Sequence, residues 1–165
     1  MIARKMTDQR AFTKQLFLET AFDPFLLQEA VFVTDCTVTL DGRVVADQLS
    51  EEERTALPDP VFHTWGRLRP LAFQIIKGAR LPKSFHIVLG LSRPQIEKLI
   101  ADHDIPVPAD QVGGLYLNLR YEDNQLLLVT GVSLRTFLPD KSLESDWDRS
   151  VGRFLAHHGL EFEEL

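Results

Sequence analysis

The residues best suited to binding a charged ligand lie in one stretch of the chain, residues 60–96. This stretch runs between Asp59 and Glu97 and contains no acidic residue. Guanidinium and ammonium groups bind phosphates and carboxylates well. We therefore predict a site for an anion or an acidic partner in the basic segment, residues 67–83, with a further arginine on a later strand. The predicted site residues are Arg67, Arg69, Lys77, Arg80, Lys83 and Arg120.

The same cations have a second possible role inside the molecule. Residues 91–165 carry 7 basic and 13 acidic side chains, which accounts for the whole net charge of −6. Glu144, Asp146 and Asp148 fall on the predicted last helix. Two interpretations therefore stay open. The basic segment pairs with this acidic helix, or it binds an external acidic group.

No familiar catalytic or metal-binding pattern accompanies these cations. The five histidines include no pair spaced i and i+4, as a helical zinc site requires. The two common glycine-rich phosphate-binding motifs are absent, and TGVSL at 130–134 is not a nucleophile elbow. The sequence thus predicts no catalytic residue, no metal ligand and no cofactor.

Three functional hypotheses follow. The first is a small non-enzymatic protein that holds an acidic protein or a small anion through residues 67–83. The second is an enzyme for a phosphorylated or carboxylated small molecule, which a pocket joining Arg120 to a histidine or a carboxylate would favour. The third is a single-stranded nucleic-acid binder, because Trp65, Phe73 and Phe85 alternate with the cations. The acidic overall charge disfavours this third hypothesis and predicts no binding to duplex DNA.

Length and composition predict an ordinary soluble domain. A chain of 165 residues favours one domain, 1–165, and 44% hydrophobic residues suffice for a core. No apolar run approaches the ~20 residues that span a bilayer, and the N-terminus becomes polar too early for a signal peptide. We therefore expect a cytoplasmic protein that does not contact membranes. Cys36, the single cysteine, is expected to be a small core residue on a strand.

Apolar spacing and capping residues predict helices near 8–18, 60–78, 92–103 and 142–158. Asp59 and Pro60 suit the start of the second helix, whose apolar stripe continues through Pro70 and indicates one kinked helix. Ser92 and Gln95 have the spacing of a capping box at the start of the third helix. A further short helix is expected after Ser50.

Alternating residues predict two hairpins, at about 26–46 and 115–137, and a strand near 85–91. Asp41-Gly42 has the composition of a two-residue turn for the first hairpin. Residues 122–125 join the strands of the second, and EFEEL is expected to be an irregular acidic tail. Hairpins outnumber βαβ units, so the predicted fold is α+β with a mainly antiparallel sheet.

Three strings in this order resemble a family of short bacterial proteins known as a domain of unknown function. They are FDPFLLQEA, LRPLAFQIIKGARLPKSFHIVLGLS and GLYLNLRYEDNQLLLVTGVSLRTFLPDKSLESDWD. The resemblance covers nearly the whole chain. It implies one compact domain in a bacterial cytoplasm and supplies no activity, cofactor or catalytic residue.

Overall fold

The computed structural model describes residues 1–78 and 80–165. The helices are α1 (Gln9–Phe17), α2 (Glu51–Thr55), α3 (Trp65–Ile76), α4 (Arg93–Asp102) and α5 (Ser142–His157). The strands are β1 (Ala3–Met6), β2 (Leu26–Val33), β3 (Thr37–Asp41), β4 (Ser84–Gly90), β5 (Val112–Glu122), β6 (Gln125–Leu134) and β7 (Phe162–Glu164). Two 3₁₀ turns occur at Ala46–Gln48 and Ala109–Gln111.

The seven strands form one sheet in the order β3-β2-β4-β5-β6-β1-β7, and every neighbouring pair is antiparallel. Burial alternates along the central strands: Phe85, Ile87 and Leu89 of β4 are buried, whereas Val88 on the other face is half-buried. Since successive side chains of a strand point to opposite faces, the core lies on one face of the sheet. The helices cover that face, and the other face is open.

The core is one continuous apolar cluster between this sheet face and the helices. Phe12 and Leu16 of α1, Ala72 of α3 and Leu155 of α5 are fully buried in it. Trp65 is also fully buried, and its indole nitrogen donates to the carbonyl oxygen of Leu16 at 2.7 Å. The buried tryptophan therefore joins α3 to α1.

The predicted α+β class and antiparallel sheet are confirmed. The helices expected near 8–18, 92–103 and 142–158 and the strand near 85–91 form within one or two residues of those bounds. The side chain of Asp8 caps α1 at the amide of Ala11, because a short side-chain oxygen can accept from the first-turn amides. Ser50 forms a complete capping box on α2, but Ser92 makes no capping bond on α4.

A hairpin forms within residues 26–46, but its strands and its turn differ from those predicted around Asp41-Gly42. Thr34–Cys36 make the turn between β2 and β3, whereas Gly42 follows the end of β3. Gly42 is buried, and a Cβ there would overlap the carbonyl oxygen of Leu27. The glycine is needed for close backbone approach, which sequence alone does not distinguish from a turn.

The second hairpin closes where it was expected. Asp123 and Asn124 have φ values of 50° and 58° between β5 and β6. Positive φ at both central residues is the geometry of a two-residue type I′ turn, which Asp and Asn tolerate. The β6 strand ends at Leu134, however, so the predicted extension to residue 137 does not form.

Three other predictions differ from the structure. α3 begins at Trp65, not residue 60, because Asp59 caps the amides of Val61 and Phe62 in a separate turn. Thr64 caps the helix instead, and α3 runs uninterrupted through Pro70. Cys36 lies exposed in the β2–β3 turn, since the strand ends before it. The tail expected to be irregular forms β7.

Candidate binding site

Helix α3 carries the first two predicted site residues, and they have different environments. Arg67 lies exposed on the first turn, where Thr64 caps its backbone amide. Arg69 is largely buried and forms a two-pronged ion pair with Asp23, through Nε at 2.8 Å and Nη2 at 3.2 Å. This pair ties α3 to the loop after α1. Arg69 therefore has a structural partner, whereas Arg67 takes no part in this ion pair.

The other end of α3 carries the remaining cations of the basic segment. Lys77 is the C-cap, and its backbone amide donates to the carbonyl of Phe73 at 2.9 Å. Arg80 and Lys83 are exposed in the connection to β4, and Ala79, which precedes Arg80, lies outside the described residues. The backbone amide of Lys83 donates to Val33 at 2.8 Å, which fixes the end of the connection beside β2.

An apolar side chain stands among these cations. Leu81 is 81% exposed, between Arg80 and Lys83 in sequence. Single exposed leucines are common on protein surfaces. A leucine flanked by three cations within seven residues nevertheless combines an apolar contact with a positive surface, which are the two features that an acidic peptide can use.

Most predicted site cations lack an ion-pair partner. Within the part of the chain that the structure describes, no carboxylate oxygen lies within 4.0 Å of the charged nitrogens of five of the six residues. The five are Arg67, Lys77, Arg80, Lys83 and Arg120. All five are exposed, so water solvates their charges and leaves them available to an external anion.

The acidic helix that was considered as their partner uses its carboxylates elsewhere. Glu144 contacts Lys141 and the amino group of Met1. Asp146 pairs with Arg149 at 3.0 Å and lies 3.6 Å from the imidazole of His103. The predicted pairing of the basic segment with α5 is therefore not the arrangement in this structure.

Asp148 is the third carboxylate of that helix, and it is buried. It accepts from the hydroxyl of Thr130 on β6, and its backbone carbonyl accepts from Arg4 Nη2 at 2.6 Å. Arg4 is 2% exposed and lies over the ring of Phe162, 5.2 Å from its centroid. This network joins β1, β6, β7 and α5.

Sequence reasoning missed the Arg4 network. It considered Asp148 as a possible partner of the basic segment and not of Arg4. In the structure burial alternates along residues 3–6, so Arg4 and Met6 share the buried face, but the residue types Ala-Arg-Lys-Met do not alternate between apolar and polar. A charged residue on an apolar face indicates a buried partner.

Arg120 lies apart from the basic segment, on the open face of the sheet. It is directly opposite His86 in the β4–β5 register. The two residues line a shallow groove of about 210 Å³ with Glu122, Ser84 and two valines of β2. Burial and the neighbouring Arg120 charge lower the pKa of His86, against the opposite effect of Glu29. This groove brings together Arg120, a histidine and a carboxylate.

The groove is small for a substrate site. Ligand pockets typically enclose about 300–1,000 Å³. The predicted site residues lie in two separate places. The basic segment lies on the helix layer, and Arg120 lies on the opposite, open face of the sheet.

The described residues contain neither a metal-binding cluster nor a membrane-spanning helix. Among residues 1–78 and 80–165, no group of three or more His, Cys, Asp or Glu side chains could hold a metal ion. None of the described helices is long and apolar enough to cross a bilayer.

Comparison with known proteins gives a family and no activity. Residues 15–163 match a family described as "Family of unknown function (DUF5721)". No curated protein and no solved structure matches the chain.

Proposed function

We propose that this chain, which belongs to the DUF5721 family of unknown function, is a small non-enzymatic binding protein that holds an acidic segment of a partner. The proposed contact surface is the basic segment, with Lys77, Arg80 and Lys83 as cations and Leu81 as the apolar contact. The proposed setting is the bacterial cytoplasm, which the family resemblance implies.

One observation carries this proposal. The cations of residues 77–83 are exposed and have no carboxylate within 4.0 Å among the described residues, in a protein whose net charge is −6. An acidic protein that keeps a local basic surface free of its own carboxylates retains attraction for an external acid at short range. Salt screens charges separated by more than about 10 Å at 0.1 M, so the nearby cations dominate at contact.

Leu81 favours a peptide over a small inorganic anion. A phosphate or sulfate ion gains nothing from a leucine, whereas a peptide that carries both acids and an apolar residue can bury it. The third hypothesis, a single-stranded nucleic acid, loses two of its three stacking residues, since Trp65 and Phe85 are 0% and 3% exposed and only Phe73 is half-buried. Buried rings cannot stack on bases.

A binding assay with a synthetic probe tests the proposal. A fluorescent peptide of alternating glutamate and leucine is titrated with the protein, and anisotropy is recorded at increasing salt. The double variant Arg80→Glu, Lys83→Glu is expected to lose binding by tenfold or more, because two attractive charges become repulsive. Arg10→Glu, Arg153→Glu is the matched control, since both residues are exposed and the net charge changes equally.

A further variant, titrated with the peptide and with inorganic phosphate, distinguishes a peptide ligand from a small anion. Leu81→Ser is expected to weaken the peptide and to leave inorganic phosphate unaffected. Equal loss in the basic-segment variant and in the control would contradict the proposal, because it would show only a general charge effect.

The enzyme hypothesis remains a second candidate because of the groove around His86 and Arg120. Burial and the Arg120 charge lower the pKa of His86, which favours the neutral imidazole that a general base requires. Arg120 would hold a phosphate or carboxylate. Hydrolysis of 4-nitrophenyl phosphate or acetate that is abolished by His86→Gln would favour this candidate over the first.

A further inference from the structure

One edge of the sheet has free backbone hydrogen-bonding groups. The amide of Gly42 donates to Gln28 at 3.2 Å, and the amide of Thr34 donates to Cys36 at 2.9 Å, at the two ends of the β2–β3 ladder. In antiparallel pairs, hydrogen-bonded and non-hydrogen-bonded residues alternate. In the register between these ends, Val38 and Leu40 direct their backbone groups towards β2.

The residues between them direct their N–H and C=O groups away from the sheet. They are Thr37, Thr39 and Asp41, and all three are exposed. In the part of the chain that the structure describes, none of their backbone groups has a hydrogen bond outside the ladder. Strand β3 is therefore an open template for another strand.

This edge carries few of the features that usually prevent pairing. Its first four residues, 37–40, are Thr-Val-Thr-Leu, three of which have high β propensity, and Asp41 at its end is its one charged residue. The opposite edge differs: β7 has three residues, two of them glutamates. Natural proteins protect edges with short strands and charges. The contrast indicates that β3 is kept free for a partner strand.

We propose that β3 pairs antiparallel with β3 of a second copy of this chain, with Thr39 on the two-fold axis. Three registers place an outward-directed residue, Thr37, Thr39 or Asp41, opposite Thr39. With Thr39 opposite Thr39, Asp35 of each copy lies opposite Arg43 of the other, which gives two attractive pairs. A shift that places Thr37 opposite Thr39 instead sets Asp35 against Asp41, which is repulsive.

The third register is less favourable than the first. Placing Asp41 opposite Thr39 leaves Asp35 against Val45 and Arg43 against Thr37, so no opposite charges meet. Asp35 and Arg43 are both exposed and make no ion pair in the described single chain. Charge complementarity therefore selects the Thr39-centred register.

This pairing has a geometric consequence. A two-fold axis between antiparallel edge strands is perpendicular to the sheet, so both open faces lie on the same side of the dimer. The two sheets become one continuous sheet of fourteen strands, twice the seven of one chain. The dimer also presents two copies of any ligand site, which strengthens binding to a repeated partner.

Light scattering coupled to size-exclusion chromatography tests the proposal over a range of protein concentrations. The wild type is expected to become dimeric as concentration rises. Thr39→Pro is expected to be monomeric, because proline removes an N–H that points outward and leaves the β2–β3 ladder intact. Thr39→Val retains the N–H and is expected to dimerise. Circular dichroism checks that both variants fold.

Charge reversal tests the register and does not depend on proline. Asp35→Arg and Arg43→Asp alone each turn two attractive pairs into repulsive ones, so the dimer dissociation constant is expected to rise about tenfold. The double variant Asp35→Arg, Arg43→Asp is expected to restore it. A wild type that is monomeric at all soluble concentrations, a dimer that survives Thr39→Pro, or no rescue in the double variant would each overturn the proposal.

Discussion

At the scale of single residues, the cations of this protein divide into those with a structural role and those without one. Arg4 and Arg69 are mostly buried and bound to groups of the same chain. Lys77, Arg80 and Lys83 are exposed and unpaired among the described residues. Sequence identified all of these except Arg4, but it could not separate them, because burial and pairing depend on which segments the fold brings together.

The Arg69–Asp23 pair is predicted to contribute to stability. A two-pronged pair at low exposure has good geometry, so a double-mutant cycle of Arg69→Ala and Asp23→Ala should give a coupling of about 1 kcal/mol in urea unfolding. The exposed Lys98–Asp102 pair is the matched control and should couple by about 0.3–0.5 kcal/mol. Equal coupling in the two pairs would contradict the structural role of Arg69.

His86 is predicted to make stability depend on pH. Burial, followed by the Arg120 charge, lowers the pKa of His86 below its ordinary value of 6.5. As pH falls below 6.5, the unfolded chain binds the proton first, so the free energy of unfolding decreases until pH passes the lower folded-state pKa. Arg120→Gln should raise the pKa of His86 in an NMR titration and reduce this pH dependence.

His63 supplies the control for that titration. Burial and the charge of Arg67 lower the pKa of His63 in the same direction. Arg120→Gln should leave the pKa of His63 unchanged, because Arg120 acts on His86 and Arg67 acts on His63. A shift of both histidines, or of neither, would contradict the assignment.

At the scale of elements, sequence predicted α1, α4, α5, β4 and the second hairpin well, but it misplaced the start of α3 and the strands and turn of the first hairpin. Helix α1 has a capping residue, and strand β4 has an alternating apolar pattern. Both are local properties of the sequence. The β2–β3 turn uses Thr34–Cys36, which carry weaker turn signals than Asp41-Gly42. A glycine is required at position 42 because the backbone of Leu27 lies close to it. The two residues are fifteen positions apart, so no local sequence pattern indicates this contact.

A substitution at Gly42 is predicted to be strongly destabilising. An alanine Cβ there would overlap the backbone of Leu27, which cannot move as a side chain can. Gly42→Ala should lower the free energy of unfolding by more than about 2 kcal/mol. Gly78→Ala is the control, since nothing lies within 4 Å of its Cβ position, and its effect should be within about 0.5 kcal/mol. Similar effects at both glycines would contradict this explanation.

At the scale of the whole molecule, the α+β class followed from the sequence, but the strand order did not. Hairpins fix which consecutive strands are neighbours: the second predicted hairpin corresponds to the β5–β6 pair, whereas the turn predicted at Asp41-Gly42 did not predict the β2–β3 pair. β1 pairs with β6, and β7 pairs with β1, so the two ends of the chain meet at one edge of the sheet. Those distant pairings leave β3 as the other edge, and the β4–β5 register places Arg120 on the open face, away from the basic segment.

The central claim is that residues 77–83 bind an acidic partner. Backbone amide NMR during titration with the glutamate–leucine peptide tests it most directly, because each amide reports its own position. We predict saturable shift changes between Lys77 and Ser84, which weaken as salt increases and disappear in Arg80→Glu, Lys83→Glu. Unchanged signals in this segment, or changes confined to the open face around His86 and Arg120, would contradict it.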